Sequence, residues 1–146
     1  MTRMDLAKNA KDFYRAMIAL DTAASAGVDP VLAELVKIRA SQINHCAYCL
    51  NMHTVDARNA GETEARIYLL SAWEEAGDVY TEREKAALRL TESVTVLTDG
   101  FVPDEVYAEA AKQFDDHELA QLIALIITIN AWNRIAVSTR KTPNVR

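Results

Sequence analysis

Four residues set out the chemistry available to this chain. Glu34, Cys46, Cys49 and His53 follow the pattern Glu-x11-Cys-x2-Cys-x3-His, and the two cysteines are the only ones in 146 residues. Two thiols three positions apart, an imidazole one turn later and a carboxylate upstream are the parts of a thiol redox centre. If each helical residue turns about 100°, Cys46, Cys49 and His53 lie near 0°, 300° and 340°, on one face. His53 stands at the (i, i+4) position from Cys49, where helical side chains meet, and is placed to take the thiol proton. An imidazole in that role needs a partner to hold its tautomer and stabilise its charge. Glu34 is the candidate, provided the chain reverses at Asn44 to Ala47.

The thiols also need a helix end. Unpaired N–H groups and the positive end of the helix dipole favour a thiolate in a first turn, where a thiol pKa falls from about 8.5 toward 7 or lower. Closure of a disulfide makes the same demand, because helical residues three apart hold their Cβ atoms about 5–6 Å apart and a disulfide wants about 3.8 Å.

The elements that must supply this placement are helices, marked out by glycines, prolines and capping residues. A first helix, about Asp5 to Ser25, closes at Gly27 and carries Leu6, Phe13, Met17, Ile18 and Leu20 at mostly helical spacing. Asp29 caps a second, with Pro30 at its first position, running to about Ile43. The Cys-Cys-His segment opens a third, ended by Gly61. A fourth, about Glu64 to Glu75, sets Ile67, Leu70 and Trp73 on one side before Gly77. Thr81 and Glu84 form a capping box for a fifth reaching Leu97, with Gly100 as its stop. Pro103 starts a sixth to about Phe114, and Asp115 with Glu118 caps a long last helix to about Thr139. The expectation is an all-α single domain over residues 1–146, with seven helices and short connections.

Composition agrees with one soluble globular domain: half the residues are hydrophobic and a quarter charged, and such a length buries roughly two thirds of its unfolded surface. A net charge of −5 argues against neutralising a nucleic-acid backbone. Arg134, Arg140, Lys141 and Arg146 read as a solvated tail. The first residues, Met1 to Asp5, lack the apolar core of a signal peptide, which predicts a cytoplasmic protein, where a disulfide is more often catalytic than structural. The apolar stretch Leu119 to Trp132 is short for a membrane span and carries Gln121, Thr128 and Asn130, so no membrane partner is expected. Its apolar surface covers more than one face, which fits either a central core helix or contact with another copy of the chain.

Other readings of the motif exist. A zinc site needs four ligands, and His45, His53 and His117 are the only imidazoles to add to the thiols; four ligands between His45 and His53 would crowd one turn. The cysteines could also be buried and inert. His45 reads as a turn residue and His117 as a surface residue.

The segment Glu34 to Gly61, ELVKIRASQINHCAYCLNMHTVDARNAG, resembles the core motif of the AhpD-like alkylhydroperoxidases within the carboxymuconolactone decarboxylase superfamily. The likeness continues through RIYLLSAW at Arg66 to Trp73 and INAWNRI at Ile129 to Ile135. It implies an all-helical subunit forming dimers, trimers or hexamers, and a thiol peroxidase that needs no cofactor and no metal. By position, Cys49 resembles the peroxide-attacking cysteine, Cys46 the resolving cysteine and proton donor, and Glu34 with His53 the proton relay. The expected partners are a hydroperoxide substrate and an external dithiol reductant, lipoyl or thioredoxin-like. Tyr48 stands between the cysteines where the founding enzymes carry an additional histidine. The decarboxylase branch generally lacks the cysteine pair and is a poorer match. The alternatives are a dithiol–disulfide oxidoreductase, or a redox-sensing or binding subunit with little peroxidase activity.

Overall fold

The computed structural model describes residues 3–145. Met1, Thr2 and Arg146 lie outside the described residues, and with them part of the N-terminal and tail expectations. Among the described residues the chain is all helical, with no strand: α1 (Leu6–Asn9), α2 (Lys11–Ser25), α3 (Pro30–Ile43), α4 (Ala47–Asn59), α5 (Glu64–Leu69), a 3₁₀ segment (Leu70–Glu75), α6 (Glu82–Thr95), α7 (Asp104–Gln113) and α8 (Asp116–Ser138).

The punctuation falls where the capping chemistry places it. Asp29 accepts from the Leu32 N–H at the start of α3. Capping boxes open α6, through Thr81 and Glu84, and α8, through Asp115 and Glu118. Two expected helices are divided. Ala10 leaves helical geometry between α1 and α2, beside Asn9, whose amide donates to the Asp5 carbonyl and so competes with the backbone. Ile67, Leu70 and Trp73 are all buried, and their strict spacing of three suits the 3₁₀ segment, in which residues i and i+3 eclipse. α6 ends at Thr95 rather than Leu97, because Val96 is no longer helical.

α3 is the centre of the molecule, packed against α4, α6 and α8. Leu32, Ala33 and Val36 join residues of α6, α7 and α8 in one core cluster, whereas Leu35 and Ile38 join Leu70, Trp73, Tyr80 and Leu88 in another. A helix that feeds two cores is apolar around most of its girth and holds its few polar side chains in fixed places. α8 is long and apolar enough, by length and composition, to cross a membrane. Its Leu119, Leu122, Leu125, Ile126 and Ile129 are nonetheless buried inside the domain, as in a core helix.

One expected apolar face is not buried. On α2 only Met17 and Ala24 are covered, while Phe13, Ile18 and Leu20 remain exposed. Helical spacing announces the stripe without saying what covers it.

Candidate active site

The turn from α3 to α4 fixes the thiols. His45 adopts a left-handed φ of 52°; its N–H donates to Gln42 O at 3.2 Å and the Cys46 N–H to Ser41 O at 3.0 Å. This is a Schellman closure with histidine in the position usually given to glycine, a conformation that histidine tolerates better than most residues. His45 is exposed there and works as a turn residue. The same turn makes Cys46 the N-cap of α4, where its Sγ accepts from the Cys49 N–H at 3.3 Å. The Cys46 and Cys49 sulfurs are joined in a disulfide with a Cα–Cα distance of 5.3 Å, inside the ordinary range.

The turn is held from below by amides. Asn44 Nδ2 donates to Asn130 Oδ1 and Asn133 Oδ1, both at 2.9 Å, and Asn133 Nδ2 donates to Ser41 Oγ at 3.0 Å. Asn133 and Ser41 are fully buried, so the bond between them ties the end of α3 to α8 through groups that have no water to fall back on.

Glu34 and His53 meet as α3 and α4 run side by side. His53 Nδ1 lies 3.0 Å from Glu34 Oε2, with both side chains largely buried. A carboxylate on Nδ1 holds the proton there and leaves Nε2 as the basic nitrogen. Lys37 Nζ stands 3.3 Å from Glu34 Oε1, and Asp56 Oδ2 lies 3.8 Å from His53 Nδ1. Burial pushes the Glu34 carboxyl up, but the hydrogen bond from His53 and the charge of Lys37 outweigh it and hold the group below the usual carboxylate value. Glu34, His53 and Asp56 also offer ligand atoms within 4.8 Å of one another. The Lys37 ammonium beside Glu34 opposes a cation at that place.

Cys49 and His53 open on a common cavity of about 330 Å³, walled on its apolar side by Ile18, Leu125, Ile129 and Trp132 and rimmed by Lys37 and Lys141. Tyr14 closes one side, its ring edge-on to Trp132 at 5.6 Å between centroids. Cys46 lies behind, packed with Ala136 and Tyr48. The four residues singled out in the sequence are thus brought together. His117, at the first turn of α8, is exposed. Sequence reasoning missed Lys37, Asp56 and Tyr14. The first two carry one legible signal, a spacing of three from Glu34 and from His53; Tyr14 carries none.

Comparison with known proteins places this site in a family. The model of the carboxymuconolactone decarboxylase family matches residues 11–93. The chain belongs to that family. The family segment contains all four motif residues. An uncharacterized Bacillus subtilis (strain 168) protein, YdfG, is 50% identical over 105 residues, covering 72% of this chain and 71% of its own. A solved structure of an Agrobacterium tumefaciens protein of unknown function, proposed to be the antioxidant defence protein AhpD, superposes with a TM-score of 0.95 at 37% identity over 100% of both chains. The debrominase Bmp8, solved with 2,3,4-tribromopyrrole, has a TM-score of 0.83 at 16% identity over 94% of this chain and 74% of its own, a likeness of fold. The expected AhpD-like, all-α architecture is therefore borne out.

Proposed function

We propose that the protein is a thiol-dependent peroxidase that reduces hydroperoxides through a Cys46–Cys49 dithiol and disulfide cycle. The observation that carries this reading is the joining of the two sulfurs at the start of α4, with Cys49 and the Glu34-supported His53 facing one cavity. In the reduced protein His53 takes the Cys49 proton, and the thiolate attacks the outer peroxide oxygen. The O–O bond breaks, the departing alkoxide takes up the proton and leaves as an alcohol, and Cys49 becomes a sulfenic acid. Cys46, held at the N-cap, attacks that sulfur; water leaves and the disulfide forms. An external dithiol, lipoyl or thioredoxin-like, reduces the pair by exchange. A cytoplasmic setting, where thiols are kept reduced, suits the cycle. Four protein groups carry it without a metal or cofactor.

Stopped-flow consumption of cumene hydroperoxide by the reduced protein tests the assignment. Cys49→Ser is expected to abolish turnover with circular dichroism unchanged, while Cys46→Ser still consumes one equivalent and accumulates a trappable sulfenic acid. Turnover that survives Cys49→Ser removes the assignment. Fast exchange with a dithiol and a negligible peroxide rate in the unmutated protein would favour the oxidoreductase reading.

A further inference from the structure

The cavity at Cys49 does not end at its own walls. A second cleft, of about 620 Å³, adjoins it and shares Tyr14, Ile135 and Lys141 with it. The two differ in character. The cysteine cavity is mainly apolar, whereas the cleft is lined by Arg3, Lys8, Arg140 and Lys141, with Asp5 as its one carboxylate among the described residues. Asp5 has an oxygen engaged in capping α1 at the Lys8 N–H.

This concentration of positive charge stands out in a chain of net charge −5. Eight of the sixteen lysines and arginines are in ion pairs with Asp or Glu. Seven other described ones have no such partner, and four of the seven are in this cleft. The C-terminal end of α8 attracts cations through its dipole, and that accounts for Arg3, whose Nη1 donates to Ser138 O at 2.8 Å. It does not account for Lys8, which comes from α1. Nor does it account for Lys141, whose Nζ sits 4.3 Å from the Tyr48 ring centroid at the rim of the cysteine cavity.

We propose that cavity and cleft form one binding site for an amphipathic anion, with an apolar chain along Ile18, Ile129 and Trp132 and a carboxylate or phosphate head among Arg3, Lys8, Arg140 and Lys141. Apolar wall and charged head supply separate parts of the affinity, the first by removing hydrocarbon from water and the second by salt-sensitive attraction. This deepens the peroxidase reading and in that respect rests on it: the substrate class is a chain hydroperoxide with an anionic end. Its –OOH lies against Cys49 and is reduced to the alcohol and water as the two thiols become a disulfide.

Binding is tested apart from turnover by titrating the disulfide form with decanoate, decyl phosphate and decanol, followed by calorimetry. At low salt at least one anion is expected to bind tenfold or more tightly than decanol, with the margin shrinking as salt is added. Which anion gains the margin distinguishes a carboxylate from a phosphate head. In Lys8→Gln/Arg140→Gln the margin should fall below threefold, with circular dichroism unchanged. Decanol binding as tightly as both anions, or a full margin kept in the double variant, overturns the proposal. A margin without any consumption of cumene hydroperoxide by the reduced protein would leave the anion site standing and sink the peroxidase reading; peroxide turnover without a margin does the reverse.

Discussion

His53 and Lys37 together set how Glu34 behaves. Burial alone would raise the Glu34 carboxyl and favour its neutral form, which could not steady a charged imidazole. The His53 hydrogen bond and the Lys37 ammonium reverse that and lower the group below its usual value. A lowered carboxylate keeps its charge, and its pairing contributes stability, above the unfolded value of about 4.3; both are lost as pH falls through the lowered value. Lys37→Met removes the ammonium and leaves the burial. We expect the acid limb of kcat/KM for cumene hydroperoxide to move to higher pH, read from a pH–rate profile, with the alkaline limb in place. An unmoved acid limb would exclude Lys37 from the proton relay. At this scale the sequence was most legible for residues rare in the chain, the two cysteines and the histidine one turn beyond. Lysine and aspartate three positions from a charged partner are common on any helix surface, so that spacing alone did not tell that Lys37 is largely covered beside Glu34 or that the half-exposed Asp56 stands next to His53.

The α3–α4 turn is the element on which the sulfurs depend, and α8 holds it. Replacing Asn133 by Ala leaves the half-buried Asn44 Nδ2 one acceptor short and the fully buried Ser41 hydroxyl without its donor. A cost of about 1–3 kcal/mol is expected for buried partners left unmade, read by urea unfolding, with the reduction potential of the Cys46–Cys49 pair shifted as well. Stability and potential both unchanged would show that the network does not hold the turn. Helix starts were legible because one side chain settles each of them: Asp29, Thr81 and Asp115 bond the orphan N–H groups of α3, α6 and α8. The break at Ala10 and the 3₁₀ segment were not, since alanine is the strongest former of helix interiors and Ile67, Leu70 and Trp73 fit two helical periods until Trp73 is seen in the core. The Schellman turn was hidden for a related reason, because histidine holds a site where glycine is the usual mark.

At the scale of the molecule, the apolar run of α8 resolves into a core helix with an uncovered side. Ile127 is 52% exposed and Leu97 54%, and both line a shallow groove between α8 and the chain after α6. We propose that a second copy covers this groove in a homo-oligomer, a dimer, trimer or hexamer. Light scattering on Ile127→Asp is expected to show a smaller assembly than the unmutated protein, and the same mass in both would place the contact elsewhere. The cationic cleft lay beyond sequence reading because it joins residues 3 and 8 to residues 140 and 141. Taken in order along the chain, Arg140 and Lys141 looked like a solvated tail; folded, they stand against the N-terminal helix and beside the cysteine cavity.

The central claim is a cycle between two thiols and one disulfide driven by hydroperoxide, and a thiol count on the native protein addresses it most directly. Reduced protein freed of reductant, titrated before and after one equivalent of cumene hydroperoxide, is expected to pass from two free thiols to none, with one equivalent of alcohol formed. Two thiols persisting after the peroxide is added, with the peroxide recovered intact, would contradict the account.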